Sequence, residues 1–275
     1  LILCHHAVSE GWPTDFALAP RRLEGQLRFL LGRGYRPMTL AAAIDERPAG
    51  KTLVVTFDDA YRSVLREGYP LLARLGVPAT VFVPTAFATT QEPMAWSEMG
   101  KWIGTPFEAE LDPMSWDELR ELQGAGWEIG SHTRSHRDLT SLGDAEATAE
   151  LRGSREDCER ELQHPCVSLA YPFSSYDRRV KDLAKAAGYG AAVVLDSQIA
   201  IPKGSMLFSP GAGADPFELL RAGIYRHDRW PSFLAKTSRA ARRLRASRPW
   251  HGAARALGRP AAGREAGCRP VRRAR

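Results

Sequence analysis

Short apolar runs and longer amphipathic stretches take turns along most of the chain. The runs Leu1–Cys4, Thr52–Phe57, Ala79–Val83, Trp127–Gly130, Val167–Ala170, Gly190–Val194 and Met206–Phe208 predict strands. Between them, Pro20–Arg33, Tyr61–Leu75, Ser115–Ala125, Asp144–Gln163 and Asp177–Ala187 predict helices. Ser115-Trp-Asp-Glu118 has the form of a capping box, a serine followed three residues on by an acid. Gly34, Gly76, Gly126 and Gly188 each follow a helical stretch where a left-handed terminating glycine belongs. Three of them open the same rhythm of helix, glycine and strand (Leu75-Gly-Val, Ala125-Gly-Trp, Ala187-Gly-Tyr), which argues for repeated βα units around a parallel sheet. About seven such units would close, or nearly close, a single-domain α/β barrel. In barrels of this kind the functional side chains emerge at the carboxyl ends of the strands.

Two strand ends carry the chemistry. The run Leu53-Val-Val-Thr-Phe stops at adjacent carboxylates, Asp58 and Asp59, and the run Trp127-Glu-Ile-Gly130 leads into Ser131-His132-Thr-Arg-Ser-His136. A spacing of four puts both imidazoles on one side of a helical turn, or lets a tight loop turn both inward. By itself such a pair reads as readily as the polar face of a helix. A buried strand ending in two mutually repelling carboxylates shifts the balance, because a cation or a shared proton must relieve them. Two histidines and one carboxylate make an open-sided site that suits Zn²⁺ and equally Fe²⁺ or Co²⁺, with the second carboxylate spare to act as a base. No Gly-x-Ser-x-Gly turn is present, which argues against a serine esterase. The segment Thr85–Pro113, with Trp96 and Trp102, reads as an insertion over the same face and a candidate substrate-binding loop, with Trp96 its best sugar-stacking platform.

Thr56-Phe57-Asp58-Asp59 and His132-Thr133-Arg134-Ser135-His136 resemble the T-F-D-D and H-[S/T]-x-x-H motifs of the polysaccharide deacetylases, carbohydrate esterase family four. The resemblance extends over roughly residues 1–235, the span of the βα pattern, and implies a distorted (β/α)7 barrel. It implies that Asp59, His132 and His136 are the metal ligands and Asp58 the catalytic base. The metal would polarise an acetamide carbonyl and acidify a water, whose proton Asp58 takes. Ala170-Tyr-Pro-Phe173 is the nearest match to the family's third motif, which makes the backbone N–H of Phe173 the oxyanion donor. The arginine that usually opens this motif and orients the base is replaced by Ala170; Arg221, from a later segment, is a possible substitute. For the general acid, Leu1-Ile-Leu-Cys-His5-His6-Ala-Val resembles the start of circularly permuted relatives that deacetylate poly-N-acetylglucosamine, while Ile224-Tyr-Arg-His227-Asp resembles the usual late motif. An apolar strand ending in histidine favours His6 over His227, with His5 turned away by strand alternation.

The expected activity is therefore metal-dependent removal of N-acetyl groups from N-acetylhexosamine units of a polysaccharide or glycan precursor. The alternatives are the same chemistry on an O-acetyl ester or another non-peptide amide, or a glycan-binding member that has lost catalysis.

Composition changes this picture only at the end of the chain. The 275 residues carry a net charge of +6, yet residues 239–275 hold twelve arginines against the single acid Glu265, so the preceding 238 residues are net −5. The tail, residues 236–275, reads as an Arg-rich and partly disordered end, with weak contact to an anionic membrane surface as the sharper alternative. No nucleic-acid-binding module precedes it and no run is long enough to cross a bilayer. Leu1-Ile-Leu-Cys-His-His shows neither a basic region nor a small-residue cleavage site, which favours the cytoplasm, although the chain opens on Leu1 rather than Met. Cys4 reads as a small buried hydrophobe, and Cys158 and Cys166 as free thiols that could pair in an oxidising compartment.

Overall fold

In a computed structural model that describes residues 1–195 and 215–238, seven parallel strands close into a ring. They are β1 (Ile2–His5), β2 (Thr52–Phe57), β3 (Thr80–Val83), β4 (Glu128–Ser131), β5 (Ser168–Ala170), β6 (Ala191–Leu195) and β7 (Leu219–Gly223). Each pairs with the next, and β1 closes the barrel by pairing with β2 on one side and β7 on the other. The first six fall on the predicted runs to within a residue or two. The predicted strand Met206–Phe208 lies outside the described residues, and the seventh staff of the barrel among those described is Leu219–Gly223.

The helices α1 (Pro20–Gly32), α2 (Leu40–Glu46), α3 (Tyr69–Leu75), α4 (Thr85–Thr90), α5 (Trp116–Gly124), α6 (Asp144–Leu162), α7 (Arg178–Ala186) and α8 (Trp230–Thr237) connect them. The Ser115–Glu118 capping box forms in both directions at the start of α5, and all four terminating glycines have positive φ. The stretch predicted as one helix from Tyr61 holds a π-helical segment, Val64–Gly68, ahead of α3. Pro70 lacks the amide proton that an uninterrupted α-ladder needs there. The segment Thr85–Pro113 is not a bare loop. It contains α4 and two short 3-10 turns, and it buries Met94, Met99 and Leu111 in the core.

Strand alternation sorts the barrel interior into layers. Ile2, Val54, Phe82, Ala170 and Val193 form an apolar middle layer, joined from below by Met38, Leu40 and Ala43 of α2 and the residues before it, which plug the amino-terminal mouth. Gly130 makes room for this layer, since a Cβ there would stand 2.7 Å from the Phe82 ring. Two residues further along the same inward faces come Cys4, Thr56 and Arg221, then His6, Asp58 and His132. The interior thus turns from apolar to charged toward the carboxyl ends, with the larger hydrophobic core between the barrel and its helices. No described helix is long and apolar enough to cross a membrane.

Candidate active site

The ends of β2, β4 and β5 are built from strained backbone. Nine non-glycine residues among those described have positive φ. Arg47, Gln91 and Gln163 are the left-handed caps of α2, α4 and α6. The other six, Asp59, Ala60, Thr133, His136, Phe173 and Ser174, all follow these three strands. Each costs about 1–2 kcal/mol relative to ordinary backbone, so the surrounding structure must hold them in place. The His132–His136 pair takes the tight-loop form rather than a helical turn. Its backbone is pinned from α4, where the N–H groups of Thr85 and Ala86 donate to the carbonyls of Thr133 and Arg134. From α6, the Glu150 carboxylate accepts from the Arg134 and Ser135 N–H groups and the Ser135 hydroxyl. Thr133 and Ser135 support the loop, with Thr133 Oγ1 accepting from the His136 N–H.

This scaffold brings Asp59, His132 and His136 together. One ligand atom from each lies within 4.8 Å of the other two. Asp59 Oδ1 stands 3.4 Å from His132 Nε2 and 3.4 Å from His136 Nε2, is buried, and has no hydrogen-bond partner. Two donors each about 2.1 Å from a tetrahedral ion stand about 3.4 Å apart, so the spacing and the orphaned oxygen both fit a small divalent cation. His132 Nδ1 bonds the Ala170 carbonyl at 2.8 Å, which leaves the Nε2 lone pair facing Asp59. Burial lowers the His136 pKa to about 3, keeping that imidazole neutral as a ligand must be. Burial disfavours charge on His132 as well, yet the Asp59 carboxylate overrides it and raises the pKa, a sign that positive charge is favoured at this point.

Asp58 is held differently. Arg221 reaches in from β7, 1% exposed, and grips Asp58 with NH1 to Oδ1 at 2.6 Å and NH2 to Oδ2 at 2.7 Å. NH1 also donates to Thr56 Oγ1 at 3.0 Å. Burial opposes ionisation of Asp58, but the Arg221 charge, with help from His132, holds the carboxyl well below the usual carboxylate range. The proposed substitution of the missing arginine by Arg221 is therefore made in space, from β7, two strands round the barrel from β2 and two from β5. Cys4 Sγ donates to Asp58 Oδ2 at 3.4 Å, and Cys4, His6 and Asp58 form a second potential ligand group. Arg221 already supplies the countercharge to that group, and burial raises the Cys4 thiol well above its ordinary pKa, so it does not match the unsatisfied character of the Asp59 cluster.

The two histidine alternatives separate. His6 lies beside Asp58, its Nδ1 buried without a partner and its ring 4.8 Å from that of Phe16. His227 is on the surface, its side chain 63% exposed and paired with Asp15 at 3.0 Å. His5 turns away from the cluster onto Phe57. Phe173 sits in the turn after β5 with φ 56° and its ring centroid 4.7 Å from that of His136. Trp96 reaches the site from the insertion, but its ring is stacked on His136 at 4.2 Å, so that face packs on an imidazole instead of a sugar. Trp116 and Trp127 are buried, and Tyr176 stacks on Tyr171.

Tyr61 escapes the sequence reading. It is buried, and its hydroxyl bonds Asp59; burial first, then the Asp59 charge and this bond, raise its pKa well above the ordinary phenol value. Its only signal is its place two residues beyond the carboxylates. Tyr61→Phe keeps the ring packing on Trp12 and removes one bond that orients Asp59. The expected result is a drop in divalent-metal affinity of about tenfold, the low end for such outer partners, read by competition with a chelating dye.

Residues 45–192 match the sequence profile of the family described as Polysaccharide deacetylase. The chain belongs to the polysaccharide deacetylase family. Among named relatives, YxkH of Bacillus subtilis (strain 168), a protein named after the same family, is 24% identical over 200 residues, or 71% of this chain. The chain spans 64% of the length of YxkH. Of solved structures, the Streptococcus pyogenes deacetylase PplD in complex with acetate superposes with a TM-score of 0.68 at 19% identity, covering 86% of this chain and 97% of that one. IcaB from Ammonifex degensii superposes with a TM-score of 0.65 at 21% identity, covering 86% and 95%. The de-N-acetylase from Aggregatibacter actinomycetemcomitans gives 0.67 at 17%, covering 86% and 98%. At these identities the structures establish the shared deacetylase fold, a seven-stranded parallel barrel with surrounding helices. The buried Asp59–His132–His136 triad is consistent with the metal site typical of this family.

Proposed function

We propose that this polysaccharide deacetylase is a metal-dependent hydrolase that removes N-acetyl groups from N-acetylhexosamine units of a polysaccharide or glycan precursor, releasing acetate. The observation that carries the reading is the unequal treatment of two adjacent carboxylates. Asp59 presents an unsatisfied oxygen to two imidazoles, while Asp58 is fully ionised and clamped by Arg221. That division separates a ligand from a base. Asp59, His132 and His136 would hold the ion, and two imidazoles with one carboxylate at this spacing favour zinc, with iron or cobalt as the other fits. A bound divalent cation would act as a Lewis acid toward the acetamide carbonyl and acidify the attacking water.

Asp58 takes the proton released as water attacks. Its lowered pKa keeps the carboxylate available at every neutral pH, and its oxygens retain lone pairs beyond the two that face Arg221. His6, on the far side of Asp58 from β4, gives a proton to the departing nitrogen. Burial lowers its pKa against the pull of Asp59 and Asp58, which makes its protonated form a stronger acid. The N–H of Phe173, aimed by the left-handed turn after Pro172, receives the developing oxyanion. PplD is a deacetylase and the Aggregatibacter protein a de-N-acetylase, and their likeness to this chain supports deacetylation as its reaction.

Acetate release from N-acetylglucosamine oligomers tests this. Chelation is expected to lower the rate at least 100-fold, and added Zn²⁺ to restore it. Activity that ignores chelation, or metal-loaded protein that releases acetate from O-acetyl esters but from no sugar amide, would contradict the proposal.

A further inference from the structure

A second concave site lies beside the first. The amino-terminal turns of α1 and α8 enclose a cleft of about 440 Å³ lined by Arg22, Gln26, Asp228, Arg229, Trp230 and Pro231. That volume is within the usual range for small-molecule sites, roughly 300–1,000 Å³. In a βα barrel the first turn of each helix stands on the face where the strands end, so the cleft opens on the catalytic side. Its wall is the turn Tyr225–Asp228, which leaves β7 just beyond Arg221. Through Tyr225 that turn reaches Phe16 (6.4 Å), and Phe16 reaches His6 (4.8 Å). A polymer lying across the barrel mouth would pass from one site to the other.

The lining states what it would bind. Trp230 is 49% exposed, with its ring propped against Phe29 and Phe233 and resting over Gly25, so an apolar face is held rigidly in solvent. Gln26, only 2% exposed, has a carboxamide oxygen with no partner. The one acid, Asp228, is already spent on Lys236 at 2.6 Å, on Ser232 and on the Tyr225 N–H. Arg22 is fixed by donating NH1 to the carbonyls of Arg226 and Asp228. Among the described residues neither Arg22 nor Arg229 has a carboxylate partner. The cleft is therefore net positive in a region of the chain that is net negative.

We propose that this cleft is a subsite for an anionic sugar residue, its ring on Trp230 and its carboxylate or phosphate on Arg22 and Arg229. A free aromatic face selects a flat apolar ring surface, and two guanidiniums select a planar or tetrahedral anion. The identification of the occupant as part of the deacetylase substrate rests on the proposed function; the aromatic and cationic lining does not.

Titration calorimetry on the full chain decides it. The probes are an octasaccharide of N-acetylglucosamine, an octasaccharide alternating N-acetylglucosamine with glucuronate, and N-acetylglucosamine octasaccharide bearing 6-phosphates. Either acidic oligomer should bind at least tenfold more tightly than the neutral one, and the two together show which anion is preferred. Trp230→Ala and the charge reversal Arg229→Glu, at an exposed position, should each remove that advantage. Equal binding of neutral and acidic oligomers, or an advantage that survives both variants, would overturn the subsite. Repeating the titration with Asp59→Ala separates the two readings. Acidic-oligomer binding that persists there supports the cleft whatever the acetate assay shows, and loss of acetate release alone bears only on the catalytic reading.

Discussion

Asp58→Asn is expected to lower the rate of acetate release by about 10²–10⁴-fold, the usual contribution of a positioned general base. Metal affinity should stay within about tenfold of the parent, because no Asp58 oxygen belongs to the Asp59–His132–His136 cluster. Asp59→Ala should do the reverse in order: metal binding is lost first, and activity with it. Steady-state kinetics beside equilibrium dialysis for zinc separates the two. The amide also leaves Arg221 facing a neutral group, so the comparison is made at a temperature where circular dichroism shows both variants folded. Should Asp58→Asn lose zinc as completely as Asp59→Ala, the assignment of separate base and ligand would be wrong.

The second large effect is on stability. Arg221→Met removes the one cation that, among the described residues, is paired with Asp58 in the barrel interior, and breaking a buried pair from one side costs about 3–5 kcal/mol. The pH dependence identifies the cause. In the parent, Asp58 binds its proton less readily folded than unfolded, since Arg221 outweighs burial. Its contribution is thus present above the ordinary carboxylate pKa of about 4 and is lost only as pH falls through the lower folded value. In Arg221→Met, burial acts with much less opposition and favours the protonated carboxyl. The stability gap between parent and variant should widen as pH rises from about 3 to 7. Denaturant melts across that range measure it. The double variant Arg221→Met with Asp58→Leu should recover most of the lost stability while remaining inactive. A gap that is flat with pH, or a double variant no more stable than the single, would mean that the pair is not what Arg221 contributes.

The strand ends were legible because their cause is local. A buried run such as Thr52–Phe57 cannot carry Asp58 and Asp59 onward without a compensating charge, and the four-residue interval of His132 and His136 sits where a strand must stop. What could not be read depends on pairings across the ring. β1 neighbours β7 at separations of more than 200 residues, and only that register brings Arg221 under Asp58 and leaves His6 inside with His227 outside. The absent arginine at Ala170 hinted at a donor elsewhere, and an arginine within the otherwise apolar Leu219–Gly223 was the visible clue. Short elements were lost for a related reason. α2 has seven residues, too few to hold by local propensity, and exists because Leu40 and Ala43 fill the barrel mouth while Thr80 and Glu128 accept its first N–H groups. Trp96 was legible as an aromatic near the site, but its partner, His136, comes from another loop.

One experiment addresses the central claim most directly: X-ray absorption at the zinc edge on protein reconstituted with one equivalent of Zn²⁺, compared with Asp59→Ala and with Asp58→Asn. The spectrum should show two imidazoles and oxygen donors around a four- or five-coordinate ion, unchanged by Asp58→Asn and absent from Asp59→Ala. A spectrum without imidazole scattering, or with sulfur from Cys4, would contradict it.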